Sequence, residues 1–205
     1  MLNDALTALV TLLVVVDPIG IAPAFLAVTD NQPPRVRNAT GLRAAAIASA
    51  ILAGTALAGS WLLDRLGIGL PAFRISGGIL LFAISFDMVL GWRPARDTRQ
   101  AEDAVAEHVR DVAAFPLAIP LIAGPGAITA TLLLAGKAAT PAALASLIAI
   151  IAVTGLLCAL AFMAAVRVSR AIGITGNVVL SRLLGIVLAA LAVQFILDGA
   201  RSAFG

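Results

Sequence analysis

The 205 residues are 61% hydrophobic and 12% charged, with a mean hydropathy of +1.05. A soluble domain carries about one quarter charged residues, so this composition excludes an ordinary water-soluble globule and surrounds most of the chain with lipid or other helices. The pI of about 10.4 rests on a net charge of only +3 and on arginines clustered in loops, which is a topology signal and not a nucleic-acid footprint.

A membrane span needs about 20 mostly apolar residues. Six segments qualify, at 5–29, 41–63, 72–92, 112–135, 141–166 and 176–199. Ala22-Pro23-Ala24 resembles a signal-peptide cleavage site, but Met1-Leu2-Asn3-Asp4 lacks the positive charge such a peptide needs. The first segment is therefore expected to be a retained span. It is interrupted at Val16-Asp17-Pro18-Ile19-Gly20. Asp is a favoured N-cap and Pro a favoured first helical residue, so Asp17-Pro18 predicts the start of a second half-helix. An aspartate at this depth costs about 2.5–3.5 kcal/mol on insertion scales. Such a residue faces a cavity or holds a break, and Asp17 is a candidate for both roles.

The second and third spans carry small residues at helical spacing: Ala50 and Gly54, Thr55 and Gly59, and the pair Gly77-Gly78. These predict close helix packing, as do Gly155 and Ala159 in the fifth. Proline at 33, 34 and 141 punctuates helix starts. Arg74 and Arg182 stand early in spans three and six, with Arg182 the deeper of the two. Asp87 lies 13 residues past Arg74, about 20 Å along a helix, too far to pair. The connection at 93–111 has apolar residues at helical spacing from Ala101 to Val112, and Asp97 with Gln100 could cap a short surface helix. His108, the lone histidine, reads as solvated, and Cys158, the lone cysteine, as a small packed hydrophobe. No metal-ligand spacing occurs.

The fourth span is interrupted at Gly124-Pro125-Gly126, another start signal. Both interruptions lie about 12 residues into their spans, roughly 18 Å deep. Thr129 and Gln194 are polar within apolar surroundings. They either line a cavity or bond across helices.

The halves align at an offset of 106–108 residues. Pro18 matches Pro125, Leu66-Gly67-Ile68 matches Ile172-Gly173-Ile174, and Arg74-Ile75-Ser76-Gly77 matches Arg182-Leu183-Leu184-Gly185. A unit of three helices occurring twice must enter the membrane from opposite sides. The expected fold is an all-α integral membrane protein of six spans, built as two inverted three-helix repeats whose first helices are broken. Residues 1–92 form the first repeat, 93–111 a cytoplasmic connection and 112–205 the second repeat. Loops after odd spans hold nine arginines against three Lys or Arg on the other side, with Arg74 and Arg182 set aside as intrahelical. Both termini are therefore expected outside the cytoplasm.

Paired breaks at mid-depth point to a transporter's substrate site. The candidate substrate residues are Asp17, Pro18, Gly20, Gly124, Pro125, Gly126 and Thr129, with Arg182 and Gln194 as weaker candidates. Asp17 is the candidate for coupling to a proton or sodium ion. Half-helix N-termini suit an anionic group such as an amino-acid carboxylate.

The motifs Asp17-Pro18-Ile19-Gly20, Phe115-Pro116-Leu117-Ala118-Ile119-Pro120 with Ala123-Gly124-Pro125-Gly126, Gly77-Gly78-Ile79-Leu80-Leu81-Phe82, and Ala192-Val193-Gln194-Phe195-Ile196 resemble the MarC family of inner-membrane proteins over nearly the whole chain. The resemblance implies a kinship with transporters of small neutral amino acids, SnatA among them, and with exporters of the LysE type. The family often carries Asn after Asp-Pro-x-Gly. This chain has Ile21, which removes one candidate substrate hydrogen bond.

The reading that follows is a secondary transporter of small neutral amino acids in the cell inner membrane, not an enzyme, without a resident cofactor. Its partners would be the solute, the bilayer and at most further copies of itself, with no nucleic acid. The alternative is a non-transporting assembly or regulatory protein. An intramembrane aspartyl hydrolase would need Asp17 and Asp87 in one site, and nothing in their spacing brings them together.

Overall fold

A computed structural model describes residues 2–30, 32–92, 96–99, 111–138 and 140–204. Among these, seven α-helices and one irregularly wound segment account for nearly all of the chain, and no strand occurs. They are α1 (Leu2–Val16), α2 (Ala22–Val28), α3 (Pro34–Arg65), α4 (Leu70–Leu90), the wound segment Ala113–Ile122, α5 (Pro125–Ala135), α6 (Pro141–Met163) and α7 (Ala165–Phe204). Residues 96–99, where the expected surface helix after the third span begins, are helical, and its remainder, with Gln100 and His108, falls on residues 100–110, outside the described residues.

The helix starts follow the prolines. α3, α5 and α6 each begin on a proline, and α4 has Pro71 in its first turn. That position loses nothing, because its N–H would have had no partner. Thr140 adds a side-chain cap to α6, accepting from the Ala143 N–H at 3.2 Å.

Four helical stretches are long and apolar enough to cross a membrane: Pro34–Gly59, Leu70–Leu90, Pro141–Met163 and Thr175–Phe204. The wound segment and α5, bent by 58°, make a fifth if taken as one span. The 15 residues of α1 reach only about 22 Å, short of a hydrocarbon core of about 30 Å, and α2 adds seven residues after a turn. Large apolar side chains such as Leu57, Trp61, Ile79, Phe86, Leu156 and Ile186 stand more than half exposed on the outer faces, as lipid contact demands. Alanine dominates the interior, where α3 and α6 meet. Small residues let helices approach when no hydrophobic force separates protein from lipid.

The most extensive packing is between α4 and α7. Gly78 lies against Ala192 and Ile196, Gly185 against Ser85, Met88 and Val89, and Gly199 against Pro71 and Arg74. The contacts ascend one helix as they descend the other, so the pair is antiparallel. Gly155 of α6 meets Ser49 and Ala45 of α3, and Gly59 meets Leu132. The expected Ala50–Gly54 packing face differs: nothing lies within 4 Å of a Cβ at Gly54, and that face looks outward. Gly67 and Gly173 both have positive φ, 68° and 66°, which favours glycine. At Gly173 this breaks the 40 residues of α7 in two.

Candidate functional site

The first break is built by Asp17. Its φ of 52° is the only positive value at a non-glycine among the described residues. Asp tolerates this region because its short polar side chain can bond locally. The Asp17 N–H still donates to the Leu13 carbonyl at 2.9 Å, so Asp17 is the residue that ends α1. Pro18 then removes the N–H that would have served Val14. The carboxylate turns forward. Asp17 Oδ1 accepts the Gly20 N–H at 2.9 Å, and Oδ2 accepts the Ser181 hydroxyl at 3.0 Å. A Cβ on Gly20 would overlap that carboxylate, which accounts for glycine there.

This differs from the expected half-helix start at Asp17-Pro18. Residues 18–21 form a turn, and α2 begins at Ala22 behind Ile21, with no side-chain cap. The left-handed backbone at Asp17 ends one helix, and the chain needs a full turn before it can begin the next. The half-helix start expected at Asp17-Pro18 thus lies four residues later, at Ala22, while the one expected at Gly124-Pro125 is in place.

The second break is wound differently. Phe115 and Ile119 are extended, at φ/ψ of −136°/127° and −127°/125°, and each precedes a proline in a cis peptide bond. Proline pushes the residue before it out of the helical region. Gly124, extended at φ −78° and ψ 174°, is the N-cap of α5, and Pro125 follows as its first residue, as the sequence predicts. A Cβ on Gly124 would collide with the Pro120 carbonyl. Glycine has no side chain to cap with, so the Gly126 and Ala127 amides precede the helix's first bond, Ile128 N–H to Gly124 O at 3.0 Å. Gly126 sits tightly between Ile84 and Val15.

A cavity of about 420 Å³ opens at this helix start, within the range of small-ligand pockets. Gly124, Pro125, Gly126 and Ala127 line it with Val15, Leu80 and Ile84. Asp87, Arg96 and Asp97 also line it, and Arg96 pairs with Asp87 at 2.6 Å. A second cavity, of about 330 Å³, lies at the other end of α5, lined by Leu134, Lys137, Asp4, Thr7 and Phe195 among others. Lys137 pairs there with Asp198 at 2.8 Å, and Asp198 also accepts from Gln194 at 2.7 Å.

Gly124, Pro125 and Gly126 therefore share the first cavity. Asp17, Pro18 and Gly20 are not among its lining residues, although Val15, two residues before Asp17, is. Asp17 and Gly20 are buried, with Asp17 only 2% exposed. Thr129 is buried with its methyl toward Gly77. Arg182 is exposed beside Gly91 at the end of α4, where a cation complements the helix dipole. Gln194 belongs to the Lys137–Asp198 group. Arg74 reaches Ser202 at 3.2 Å and is far from Asp87, as expected. Sequence reasoning missed Ser181 and Asn177, both buried. Their signal was a polar pair four residues apart inside the sixth apolar segment.

The membrane-embedded helices, paired breaks and proline-glycine starts define a class: a multi-pass integral membrane protein with interrupted spans. Residues 2–204 match the family described as MarC family integral membrane protein, and the chain belongs to that family. It is 38% identical to a UPF0056 membrane protein of Methanocaldococcus jannaschii, over 92% of each chain. It is 36% identical to one of Archaeoglobus fulgidus, over 92% of this chain and 88% of the relative. With the UPF0056 membrane protein YhcE of Escherichia coli it shares 34% identity, over 94% and 90% respectively. No solved structure matches.

Proposed function

We propose that the protein is a secondary transporter of small neutral amino acids or similar zwitterions across the inner membrane. The observation that carries this reading is the uncapped start of α5 at a cavity wall. Two backbone amides and the positive end of an 11-residue helix lie beside an open cavity, an arrangement suited to a carboxylate. The space is otherwise mostly apolar-walled, which suits a small side chain.

Inverted repeats are the second element of the proposal. Gly67 and Gly173, matched at the offset of 106, both have positive φ. The packing is also reciprocal. Gly78 meets residues 192 and 196, and Gly185, the counterpart of Gly77, meets 85, 88 and 89. Residues 84–88 and 192–196 are counterparts at the offset of 108. Such contacts suit two-fold-related units, although any antiparallel helix pair meets itself in this way at a fixed offset. Six spans require α1 with α2 to act as one and the wound segment with α5 as another. The arginine bias then puts both termini outside.

Cavities at both ends of α5 favour alternating access, in which the substrate passes from one to the other as the repeats rock. Reconstitution into liposomes tests the reading. Saturable uptake of labelled glycine or alanine above protein-free vesicles is the expected result. Vesicles carrying folded protein that take up neither, under any imposed ion gradient, would exclude it.

A further inference from the structure

We propose that Asp17, Ser181 and Asn177 are the oxygen ligands of a sodium ion, bound apart from the α5 cavity. The ion's role in coupling rests on the transport reading. Its binding does not.

Asp17 is 2% exposed. Its carboxylate receives a backbone N–H and a hydroxyl, neither of which cancels its charge. Among the described residues the ion pairs are Arg43–Asp111, Arg96–Asp87 and Lys137–Asp198, and no cation pairs with Asp17. A buried carboxylate without a counter-charge is strongly disfavoured. Its position worsens this, since it closes the C-terminal, negative end of α1. Pro18 offers no N–H to the Val14 carbonyl. A cation at this point relieves the carboxylate and the helix end together.

Asn177 is the independent observation. It is 7% exposed, and its Oδ1 is buried without a donor. It lies one helical turn before Ser181, on the same face of α7, and that residue, 1% exposed, bonds to Asp17. A hydrogen-bonded carboxylate and hydroxyl thus lie where the break in one helix meets another, with an unpartnered amide oxygen one helical turn along the same face of that helix. Oxygen donors suit a hard cation, and interrupted helices supply such ligands for sodium in transporters. The single carboxylate matches a single positive charge. A proton on Asp17 would need only one acceptor, whereas sodium engages all three groups.

The test is thermal unfolding of the full chain purified in detergent, in sodium, potassium or choline chloride at equal ionic strength and pH. A saturable rise in Tm specific to sodium is expected. Ser181→Ala and Asn177→Leu should each weaken half-saturation about ten-fold or more, and Asp17→Asn should abolish the response. The Leu variant is similar in size to Asn and leaves the Asp17 bonds in place, so it separates loss of a ligand from loss of the fold. Equal Tm in the three salts would overturn the site, as would unchanged half-saturation in both the Ser181 and Asn177 variants. A sodium response without amino-acid uptake would keep the site and remove the transport reading. Uptake without a sodium response would do the reverse.

Discussion

Ser181 Oγ donates to Asp17 Oδ2 across 3.0 Å, joining two buried residues 164 positions apart. The bond ties the break in the first apolar segment to the last helix, so a change at Asp17 is felt by both halves of the chain. The second oxygen of the same carboxylate holds the turn at Gly20. One side chain thereby shapes the break locally and anchors it at long range.

Asp17→Asn should abolish uptake while the protein still inserts and unfolds at a similar Tm. The amide oxygen still accepts from Gly20, and the Ser181 hydroxyl can switch from donor to acceptor. Asp17→Leu should instead destabilise the fold by about 1–3 kcal/mol for each buried partner left unpaired. Near wild-type uptake by the Asn variant would show that the charge has no part in transport, and the break would then be structural only.

Gly20→Ala is expected to be worse than its size suggests. The added methyl would overlap the Asp17 carboxylate and displace it from both donors. A loss of about 2–3 kcal/mol is expected from one methyl, read as a lower Tm. A wild-type Tm for Gly20→Ala would show that the carboxylate has another place to go.

Gly126→Ala should couple to Ile84. A Cβ at Gly126 would meet Ile84 Cδ1 at 2.5 Å and Val15 Cγ1 at 3.2 Å. The first is the far end of a flexible side chain, so the cost is about 1–3 kcal/mol. Ile84→Val should recover part of it. A double-mutant cycle with zero coupling would separate the two side chains.

The spans were legible because lipid imposes a length and an apolarity that local sequence must satisfy. The start of α5 was legible too, since Gly124-Pro125 carries cap and first turn in two adjacent residues. The first break was legible in place but not in form. Asp17-Pro18 has the same chemistry as a helix start, and only the left-handed backbone at Asp17 makes it a helix end. The partner of Asp17 was out of reach: Asn177 and Ser181 stand out locally as a buried polar pair, but nothing in the sequence says that Ser181, 164 positions away, meets Asp17. Thr129 looked like a cavity residue by composition, yet its place is set by the close approach of Gly77, a tertiary fact. Ala50 and Gly54 carried the small-residue spacing of a packed face without a partner helix to meet it.

Orientation is open to a simple labelling measurement. Cys158, the single cysteine, is buried. With Cys158→Ala as background, Ser202→Cys should react with a membrane-impermeant maleimide added to intact cells. Protection in intact cells, with labelling only after lysis, would put the C-terminus in the cytoplasm and overturn the orientation read from the arginines.

The most direct measurement is counterflow in proteoliposomes preloaded with unlabelled alanine, with alaninamide as an external competitor. The account predicts transient accumulation of labelled alanine, suppressed by excess external alanine but not by alaninamide, which lacks the carboxylate that the Gly126 and Ala127 amides would hold. Equal competition by alaninamide would contradict the carboxylate site, and the absence of counterflow from correctly folded protein would contradict transport itself.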